Sequence, residues 1–253
     1  MFFDTHAHYD DKAFDDDRDG VLEAVKKAGV DYVLIPGCDY GSSVKALRIA
    51  NTHDFAYFAA GLHPENISGV SLEWYDQIAK LATHHKCLAI GEIGLDYYWD
   101  ASRKDLQKEI FESQLSLALE LDKPVIIHDR DAHGDCLKTV KDFPGLKGVF
   151  HCYSGSVETA KELLKLGFYL GFDGPVTYKN NAKADEVIAE CPLDRMLIET
   201  DSPYLSPVPM RGRRNDSSNL KYIAGKIAGI KNLSLEEIAD VTTANAKNLF
   251  GIL

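Results

Sequence analysis

Short apolar segments alternate with longer amphipathic segments along the whole chain. The apolar segments have the length of strands and are rich in Val, Ile, Leu, Phe and Tyr, a composition typical of parallel strands buried on both faces. Their bounds are 1–6, 31–37, 55–62, 87–94, 124–128, 147–153, 168–173 and 195–201. The pattern therefore predicts eight strands.

The segments between these strands have the period of amphipathic helices. They predict helices over 17–28, 42–52, 72–84, 103–121, 136–142, 157–166 and 184–191, and a last helix that begins near Ser234. Ser156 stands where an N-cap is expected, and Ser234 and Glu237 have the spacing of a capping box. Gly29 and Gly167 stand where glycines commonly end helices.

Eight strands that alternate with helices over 253 residues are what a (β/α)8 barrel requires. A doubly wound open sheet would need fewer strands and a Gly-rich phosphate turn after the first strand, which this sequence lacks. No long Pro/Ser/Gly linker divides the chain. We therefore predict the α/β class, with a single TIM-type barrel domain over residues 1–253.

Composition limits where such a protein works. No apolar run approaches the roughly 20 residues that a membrane-spanning helix needs, and no basic segment followed by an apolar stretch indicates a signal peptide. Five scattered cysteines without a Cys-x-x-Cys pair favour reduced thiols. We expect a cytoplasmic protein with no membrane contact and no obligate protein partner.

The chain is acidic, with 39 Asp and Glu against 28 Lys and Arg and a net charge of −11. This balance does not favour a protein that coats nucleic acid through a broad basic surface. It is compatible with an enzyme that acts on a phosphodiester, because divalent cations in a pocket would invert the local potential.

Six candidate metal ligands stand at the ends of predicted strands. His6 and His8 are one residue apart, so both imidazoles point to the same side of a strand. The other four are Glu92, His128, His151 and Asp201. We expect all six to converge, because the carboxyl ends of barrel strands form one mouth.

Six ligands exceed what one tetrahedral ion needs and suit two ions about 3.5–4 Å apart with a shared ligand. We expect one ion on His6, His8 and Asp201 and the other on His128 and His151. Glu92 would contact both, because the fourth strand lies between the two sets. A single histidine at a strand end is more often a surface or hydrogen-bonded residue, but six such groups together would be costly to bury without a metal.

The chain resembles the TatD family of metal-dependent deoxyribonucleases, within the amidohydrolase superfamily, over essentially its whole length. The resemblance rests on Asp4-Thr5-His6-Ala7-His8, Gly61-Leu62-His63-Pro64, Gly91-Glu92-Ile93-Gly94-Leu95-Asp96-Tyr97, His128-Asp129-Arg130-Asp131-Ala132, His151-Cys152-Tyr153-Ser154-Gly155, Glu199-Thr200-Asp201-Ser202-Pro203-Tyr204 and Arg211-Gly212-Arg213-Arg214-Asn215. It departs where Asp216-Ser217-Ser218 replaces the usual Glu-Pro, which concerns a loop on the substrate side.

The resemblance implies the same six metal ligands and hydrolysis of phosphodiester bonds in DNA, often from the 3′ end. Single-stranded or frayed DNA is then the expected substrate, and a metal-activated water at a dinuclear site is the expected nucleophile. Asp201 and Glu92 are the expected catalytic residues, with Asp201 orienting the nucleophile and accepting its proton. Mixed imidazole and carboxylate ligation accepts Zn²⁺, Mn²⁺, Fe²⁺ or Mg²⁺.

Several basic groups near the strand ends are candidates for substrate binding. Arg130 suits a phosphate clamp, although a rim arginine paired with Asp129 or Asp131 is an equal alternative. His63 either lines the pocket or is a satisfied histidine under the turn at Pro64. The compact basic cluster after the eighth strand either contacts a nucleic-acid backbone or is solvated surface; it consists of Arg211, Arg213 and Arg214.

Other polar and aromatic residues receive weaker assignments. Asp96 and Glu199 are expected to orient metal ligands. Tyr97, Tyr153 and Tyr204 could stack on bases, but local packing is the commoner role of loop tyrosines. No role is expected for the histidines away from strand ends, which are His53, His84, His85 and His133.

Two other functions compete with a nuclease. One is hydrolysis of a small phosphoester or amide metabolite by an amidohydrolase. Several relatives of that kind bridge their metals with a carbamylated lysine, and no lysine ends a predicted strand here. The other is a non-catalytic barrel that serves as a binding module, which the complete ligand set argues against.

Overall fold

All eight predicted strands are present in the computed structural model, which describes residues 1–252. They pair in parallel in the order β1-β2-β3-β4-β5-β6-β7-β8, which confirms the predicted barrel. The strands are β1 Phe2–Asp4, β2 Val30–Pro36, β3 Ala56–Ala60, β4 Cys87–Asp96, β5 Val125–Arg130, β6 Gly148–Phe150, β7 Tyr169–Phe172 and β8 Met196–Ile198.

The segments that follow β8 and β1 bring the two ends of the sheet together. Ala7 and Ser202 form an isolated parallel bridge beyond both strands. The Asp201 N–H donates to the His6 carbonyl at 2.8 Å, and the His8 N–H donates to the Ser202 carbonyl at 2.6 Å. Backbone hydrogen bonds of three predicted metal ligands therefore help to close the barrel.

Helices separate the strands, and two follow β8. They are α1 Arg18–Lys27, α2 Tyr40–Thr52, α3 Trp74–Ala82, α4 Lys104–Glu120, α5 His133–Lys141, α6 Val157–Lys165, α7 Ala182–Glu190, α8 Leu220–Lys231 and α9 Leu235–Phe250. The residues predicted to cap or end helices are confirmed in these positions. Ser156 caps α6, Ser234 and Glu237 form a capping box on α9, and Gly29 and Gly167 follow α1 and α6 with φ of 89° and 91°.

Two helices depart from the sequence prediction by more than two residues, while the predicted ends of the others agree within two residues. α5 begins at His133, three residues before the predicted start at Cys136. α8 was not predicted at all. Its two glycines, Gly225 and Gly229, are poor helix formers, and the helix is stabilised by tertiary packing of its buried face against α7 and α9.

The barrel interior is filled at the end opposite the predicted ligands. Each strand contributes one buried side chain to this layer: Phe3, Leu34, Ala59, Ala89, Ile126, Val149, Tyr169 and Leu197. The helix α9 covers the layer with Leu249 and Phe250, and the Phe250 ring lies 5.9 Å from the Phe3 ring. Because apolar side chains occupy this end, polar chemistry is confined to the carboxyl-terminal mouth.

Two expectations from composition concern the whole chain. Among residues 1–252, no helix has both the length and the apolar character needed to span a bilayer. All five cysteines are free thiols, as predicted, and three of them are buried.

Candidate metal centre

Three predicted ligands project from neighbouring strands on one side of the barrel mouth. Glu92 and His128 lie within β4 and β5, and His151 directly follows β6. β4 and β5 approach each other closely beside His128. Gly94 pairs with His128 with φ of 144°, and a Cβ on it would clash with the His128 carbonyl. Only glycine fits this approach, so Gly94 fixes the height of the His128 imidazole.

The other three predicted ligands lie beyond their strands, which corrects the predicted strand ends. β1 ends at Asp4, before His6 and His8, and β8 ends before Asp201. Side-chain hydrogen bonds replace the regular ladder here, since the Asp4 carboxylate accepts the N–H and the hydroxyl of Thr200 at 3.0 and 2.6 Å. Asp201 itself has φ of 54°, a left-handed conformation that turns its carboxylate toward the histidines.

One carboxylate oxygen of Glu92 faces three imidazoles. Its Oε1 lies 2.8 Å from His128 Nδ1 and 2.8 Å from His151 Nε2. His63 Nε2 lies 3.3 Å from the same oxygen. These contacts bring together the predicted second set of ligands and add a third histidine to it.

The other oxygen of Glu92 faces the histidines that follow β1. Its Oε2 lies 3.2 Å from His6 Nε2 and 3.6 Å from His8 Nε2. Asp201 Oδ1 lies 3.3 Å from His8 Nε2 and 3.7 Å from His6 Nε2. Ligand atoms of His6, His8 and Asp201 thus lie together as predicted, and Glu92 stands between the two sets.

The chemistry of these groups fits divalent cations. His6 Nε2 and His8 Nε2 lie 3.1 Å apart, and His128 Nδ1 and His151 Nε2 lie 3.2 Å apart. Two imidazole nitrogens at that distance face each other with at least one lone pair, which is the ligand that Zn²⁺ and similar cations use. The residues present therefore fit two adjacent metal positions that share Glu92.

Electrostatics keep both carboxylates ionised. Burial opposes ionisation of Glu92, whose side chain is only 4% exposed, but the surrounding histidines outweigh it and hold its pKa well below the ordinary value. Burial also opposes ionisation of Asp201, and the contact with His8 outweighs it and lowers the pKa. Metal ligation requires deprotonated carboxylates, so the cluster is electrostatically prepared for cations.

Two carboxylates lie behind the histidines, as the sequence predicted for ligand-orienting residues. Asp96 Oδ2 lies 2.9 Å from His128 Nε2, on the ring edge opposite Glu92. Glu199 Oε1 lies 3.7 Å from His151 Nδ1, beyond hydrogen-bond distance, and that nitrogen has no hydrogen-bond partner among residues 1–252. A carboxylate hydrogen-bonded to the second ring nitrogen fixes the tautomer and orientation of a metal-binding imidazole. Asp96 meets this condition for His128, and the corresponding role of Glu199 stays a prediction.

The position of Glu199 depends on a glycine of the adjacent strand. A Cβ on Gly171 would lie 2.6 Å from a carboxylate oxygen of Glu199. The same carboxylate accepts the Cys152 N–H at 2.6 Å, which holds the segment after β6 in place. A side chain at position 171 would therefore displace Glu199 and, through Cys152, the segment that carries His151.

His63 lies nearer the centre than its prediction as a substrate-binding residue implies. It is 7% exposed and belongs with Glu92 and His128 to a group of potential ligands within 4.8 Å of one another. Its Nδ1 also accepts the Glu65 N–H at 3.2 Å, as expected for a histidine under the Pro64 turn. The signal in the sequence was its position just after a strand, because the other ligands also lie at or just after the ends of strands.

Cys38 was not among the ligands predicted from the sequence. Its sulfur lies within 4.8 Å of potential ligand atoms of His8 and Glu92. Burial raises the pKa of this thiol to about 11. Its place two residues after β2 was the available signal.

Arg130 is not paired with a neighbouring carboxylate. Among residues 1–252 it forms no ion pair with Asp129 or Asp131, so that alternative is wrong. Its guanidinium lies over two exposed aromatic rings instead, 4.1 Å from the centre of Tyr98 and 5.5 Å from that of Trp99. Arg130 is exposed at the carboxyl end of β5.

The basic cluster after β8 is divided by the structure. Arg211 and Arg213 are exposed, and the Arg211 guanidinium lies 4.2 Å from the centre of the Tyr178 ring. Arg214 forms a bidentate pair with Asp17 at 2.9 and 2.6 Å. Its donors anchor this loop to the segment before α1, and its role in substrate binding stays a prediction.

The loop tyrosines have mainly local contacts. The Tyr97 hydroxyl donates to the Asp135 carboxylate, and the Tyr153 hydroxyl donates to the Ser156 carbonyl, both at 2.7 Å. Tyr204 is the most exposed of the three, at 52%. In the part of the chain that the structure describes, no ion pair or hydrogen bond joins the cluster to the histidines without an assigned role, His53, His84, His85 and His133.

We expect Asp96→Asn to lower metal affinity by about 10- to 100-fold. The neutral amide lacks the negative charge with which the carboxylate accepts the hydrogen bond from His128 Nε2 and so fixes the His128 tautomer. Competition with a chromophoric chelator measures this affinity. Asp105→Asn, in the first turn of α4, is the matched control and should bind as the parent does. Equal affinities of parent and Asp96→Asn would contradict a role for Asp96 in metal binding.

Comparison with known proteins agrees with this geometry. The family model described as TatD related DNase matches residues 3–251. The uncharacterized metal-dependent hydrolase YabD of Bacillus subtilis strain 168 is 46% identical over 254 residues, covering 100% of both chains. YcfH of Escherichia coli K12, with the same description, is 36% identical over 98% of this chain and 95% of its own.

A solved structure has the same fold over its whole length. YJJV, a TatD homolog from Escherichia coli K12, superposes with a TM-score of 0.94 and 30% identity, over 100% of this chain and 98% of its own. The resemblance drawn from the sequence motifs is thereby confirmed. This chain belongs to the TatD family of metal-dependent hydrolases.

Proposed function

We propose that this hydrolase is a deoxyribonuclease that cleaves phosphodiester bonds of DNA and releases nucleotides from the 3′ end of single-stranded or frayed DNA. The observation that carries the proposal is the position of the Glu92 carboxylate between two sets of imidazoles. His6 faces its Oε2, whereas His128 and His151 face its Oε1. A shared carboxylate of this kind is typical of two-metal hydrolytic sites. The description of the matching family as TatD related DNase supports DNA as the substrate.

The residues divide between two divalent cations, with Zn²⁺, Mg²⁺ and Mn²⁺ as the candidates. His6, His8 and Asp201 would hold one cation. His128 and His151 would hold the other, with His63 beside them, and Glu92 would be the ligand common to both sets. Asp96 would orient the His128 imidazole from behind, and Glu199 lies behind His151.

Cations bound here supply a water of lowered pKa and offset the charge on the phosphate. Asp201 is the carboxylate nearest the opening, with 15% of its side chain exposed against 4% for Glu92. Because it is ionised at neutral pH, it accepts a hydrogen bond from the attacking water, orients it and takes its proton. It then returns a proton to the leaving alkoxide. Glu92 stays buried and keeps the imidazoles in position.

The exposed arginines suit the phosphate backbone. Arg130, Arg211 and Arg213 present guanidinium groups that match phosphate oxygens in geometry. In a chain of net charge −11, a few cationic groups at the mouth determine where an anionic substrate is held. Such a site suits a strand end better than the side of a long duplex.

We expect the pure protein to shorten 5′-labelled single-stranded DNA from its 3′ end, giving a ladder that chelator abolishes. Denaturing gels of single- and double-stranded substrates at several metals provide the measurement. The same oligonucleotide with a blocked 3′ end is the control and should resist cleavage. Absence of chelator-sensitive cleavage with Mg²⁺, Mn²⁺ and Zn²⁺ would reject the nuclease proposal, and hydrolysis of small phosphoesters alone would replace it with the metabolite alternative.

Removal of one imidazole should remove one cation. We expect His128→Ala to fall from about two ions per chain to about one while keeping the circular dichroism of the parent. Elemental analysis after dialysis measures the content. His85→Ala removes an exposed histidine outside the cluster and should retain both ions. A His128→Ala protein with the parent's metal content would contradict the assignment.

Loss of the proton acceptor should affect turnover more than binding. We expect Asp201→Asn to lower kcat by about 10²- to 10⁴-fold with little change in KM, because the amide cannot take the proton of the attacking water. Steady-state kinetics at measured metal content separates this effect from loss of a ligand. Asp16→Asn, at an exposed carboxylate, should behave as the parent does. Retention of more than a tenth of kcat by Asp201→Asn would exclude its role as the base.

A further inference from the structure

Two large aromatic side chains are exposed side by side at the barrel mouth. Tyr98 and Trp99 follow β4, the strand that carries Glu92, and are 55% and 62% exposed. Their ring centres lie 4.9 Å apart, with the planes nearly perpendicular at 85°. Adjacent exposed aromatics of this size form an apolar surface that commonly marks a binding site.

An arginine side chain lies against the same rings. The Arg130 guanidinium is 4.1 Å from the centre of Tyr98 and 5.5 Å from that of Trp99, both within the range of cation–π contacts. Tyr98, Trp99 and Arg130 together are called the aromatic platform below. It combines ring faces with guanidinium donors, the two kinds of group that bind a base and its phosphate.

Asp96 connects the platform to the metal centre. One of its carboxylate oxygens, Oδ1, accepts the Tyr98 N–H at 2.9 Å and the Trp99 N–H at 2.8 Å. The other oxygen, Oδ2, lies 2.9 Å from His128 Nε2. A single buried carboxylate therefore sets the position of a metal-binding imidazole and of the backbone of both aromatic residues.

Gln107 of α4 holds the same segment from the other side. Its Oε1 accepts the Asp96 N–H at 2.8 Å. Its Nε2 donates to the carbonyls of Asp96 and Asp100 at 2.9 and 2.8 Å. The backbone of the segment from 96 to 100 is thus fixed at both ends, and Tyr98 and Trp99 lie on a loop that begins at the carboxylate in contact with His128.

We propose that the aromatic platform binds an unpaired nucleobase of the substrate by stacking, while Arg130 contacts the adjacent phosphate. This inference rests on the proposed function and specifies how the strand end is recognised. Stacking on aromatic side chains tolerates any base but requires an exposed base face, which a base within a stacked duplex does not offer. The platform therefore selects single-stranded or frayed ends without selecting a sequence.

The two tryptophans allow a direct test. Trp99 is on the platform, whereas Trp74 begins α3 and packs partly buried against the core. The probes are a phosphorothioate-linked oligothymidylate, which resists hydrolysis, and a phosphorothioate chain of equal length whose residues carry no base. We expect the metal-loaded protein to show fluorescence quenching with the base-bearing chain only.

Variants separate stacking from other contributions. Trp99→Ala should weaken binding of the base-bearing chain by about 5- to 150-fold and raise KM for DNA similarly, with kcat little changed. Binding of the base-free chain should not change. Trp99→Phe keeps an aromatic face and should retain binding, whereas Trp74→Phe should retain both binding and quenching.

Each outcome decides between the two proposals. Equal affinity for the two chains, or parental affinity of Trp99→Ala, would overturn the platform even if DNA is cleaved. Chelator-sensitive cleavage by the parent depends only on the proposed function. If binding requires both the bases and Trp99 but DNA is not cleaved, the platform is supported and the nuclease proposal is rejected. If neither chain binds, the platform is overturned.

Discussion

The structure depends on the burial of one carboxylate. Glu92 is nearly inaccessible to solvent, and an isolated ionised carboxylate in that position would be strongly unfavourable. Imidazoles from several strands surround it, so the cost is offset only when the whole barrel is assembled. The arrangement also suits cations. Divalent ions bound to the facing imidazole nitrogens would supply, in place of protons, the positive charge that the buried carboxylate requires.

The same residues close the barrel and place the metal ligands. The backbone bonds from Asp201 to His6 and from His8 to Ser202 join the first and last strands, and they are made by the residues whose side chains form the first metal set. The Asp4 carboxylate supports the same junction from beneath, through Thr200. Because closure occurs at the mouth, a substitution that weakens these backbone bonds would also displace the ligand side chains. The stability of the barrel and its affinity for metal should therefore fall together.

The sequence contained enough to predict the barrel and the convergence of the six ligands, because strand and helix periods are local and parallel strand ends meet at one mouth. Contacts between distant residues were not predictable. Arg214 has the same local signal as Arg211, and only its pairing with Asp17 shows that it anchors a loop. α8 was missed because packing, not propensity, stabilises it. The exposure of Trp99 depends on the hydrogen bonds from its loop to Asp96 and Gln107, and the periodicity of hydrophobic residues does not predict such contacts.

An acidic protein that binds DNA needs affinity from a small area. With a net charge of −11, long-range attraction does not hold a polyanion along the surface, so on the proposed function DNA binding would come from cations in the pocket, a few arginines and ring stacking. These contributions are useful together only if their spacing is fixed. Asp96 provides that spacing, since one oxygen positions His128 and the other positions the loop of Tyr98 and Trp99. On the proposed function, a nucleotide stacked on the platform would be held on a loop whose backbone is tied to the metal-binding imidazole, which would reduce the ordering required before bond cleavage.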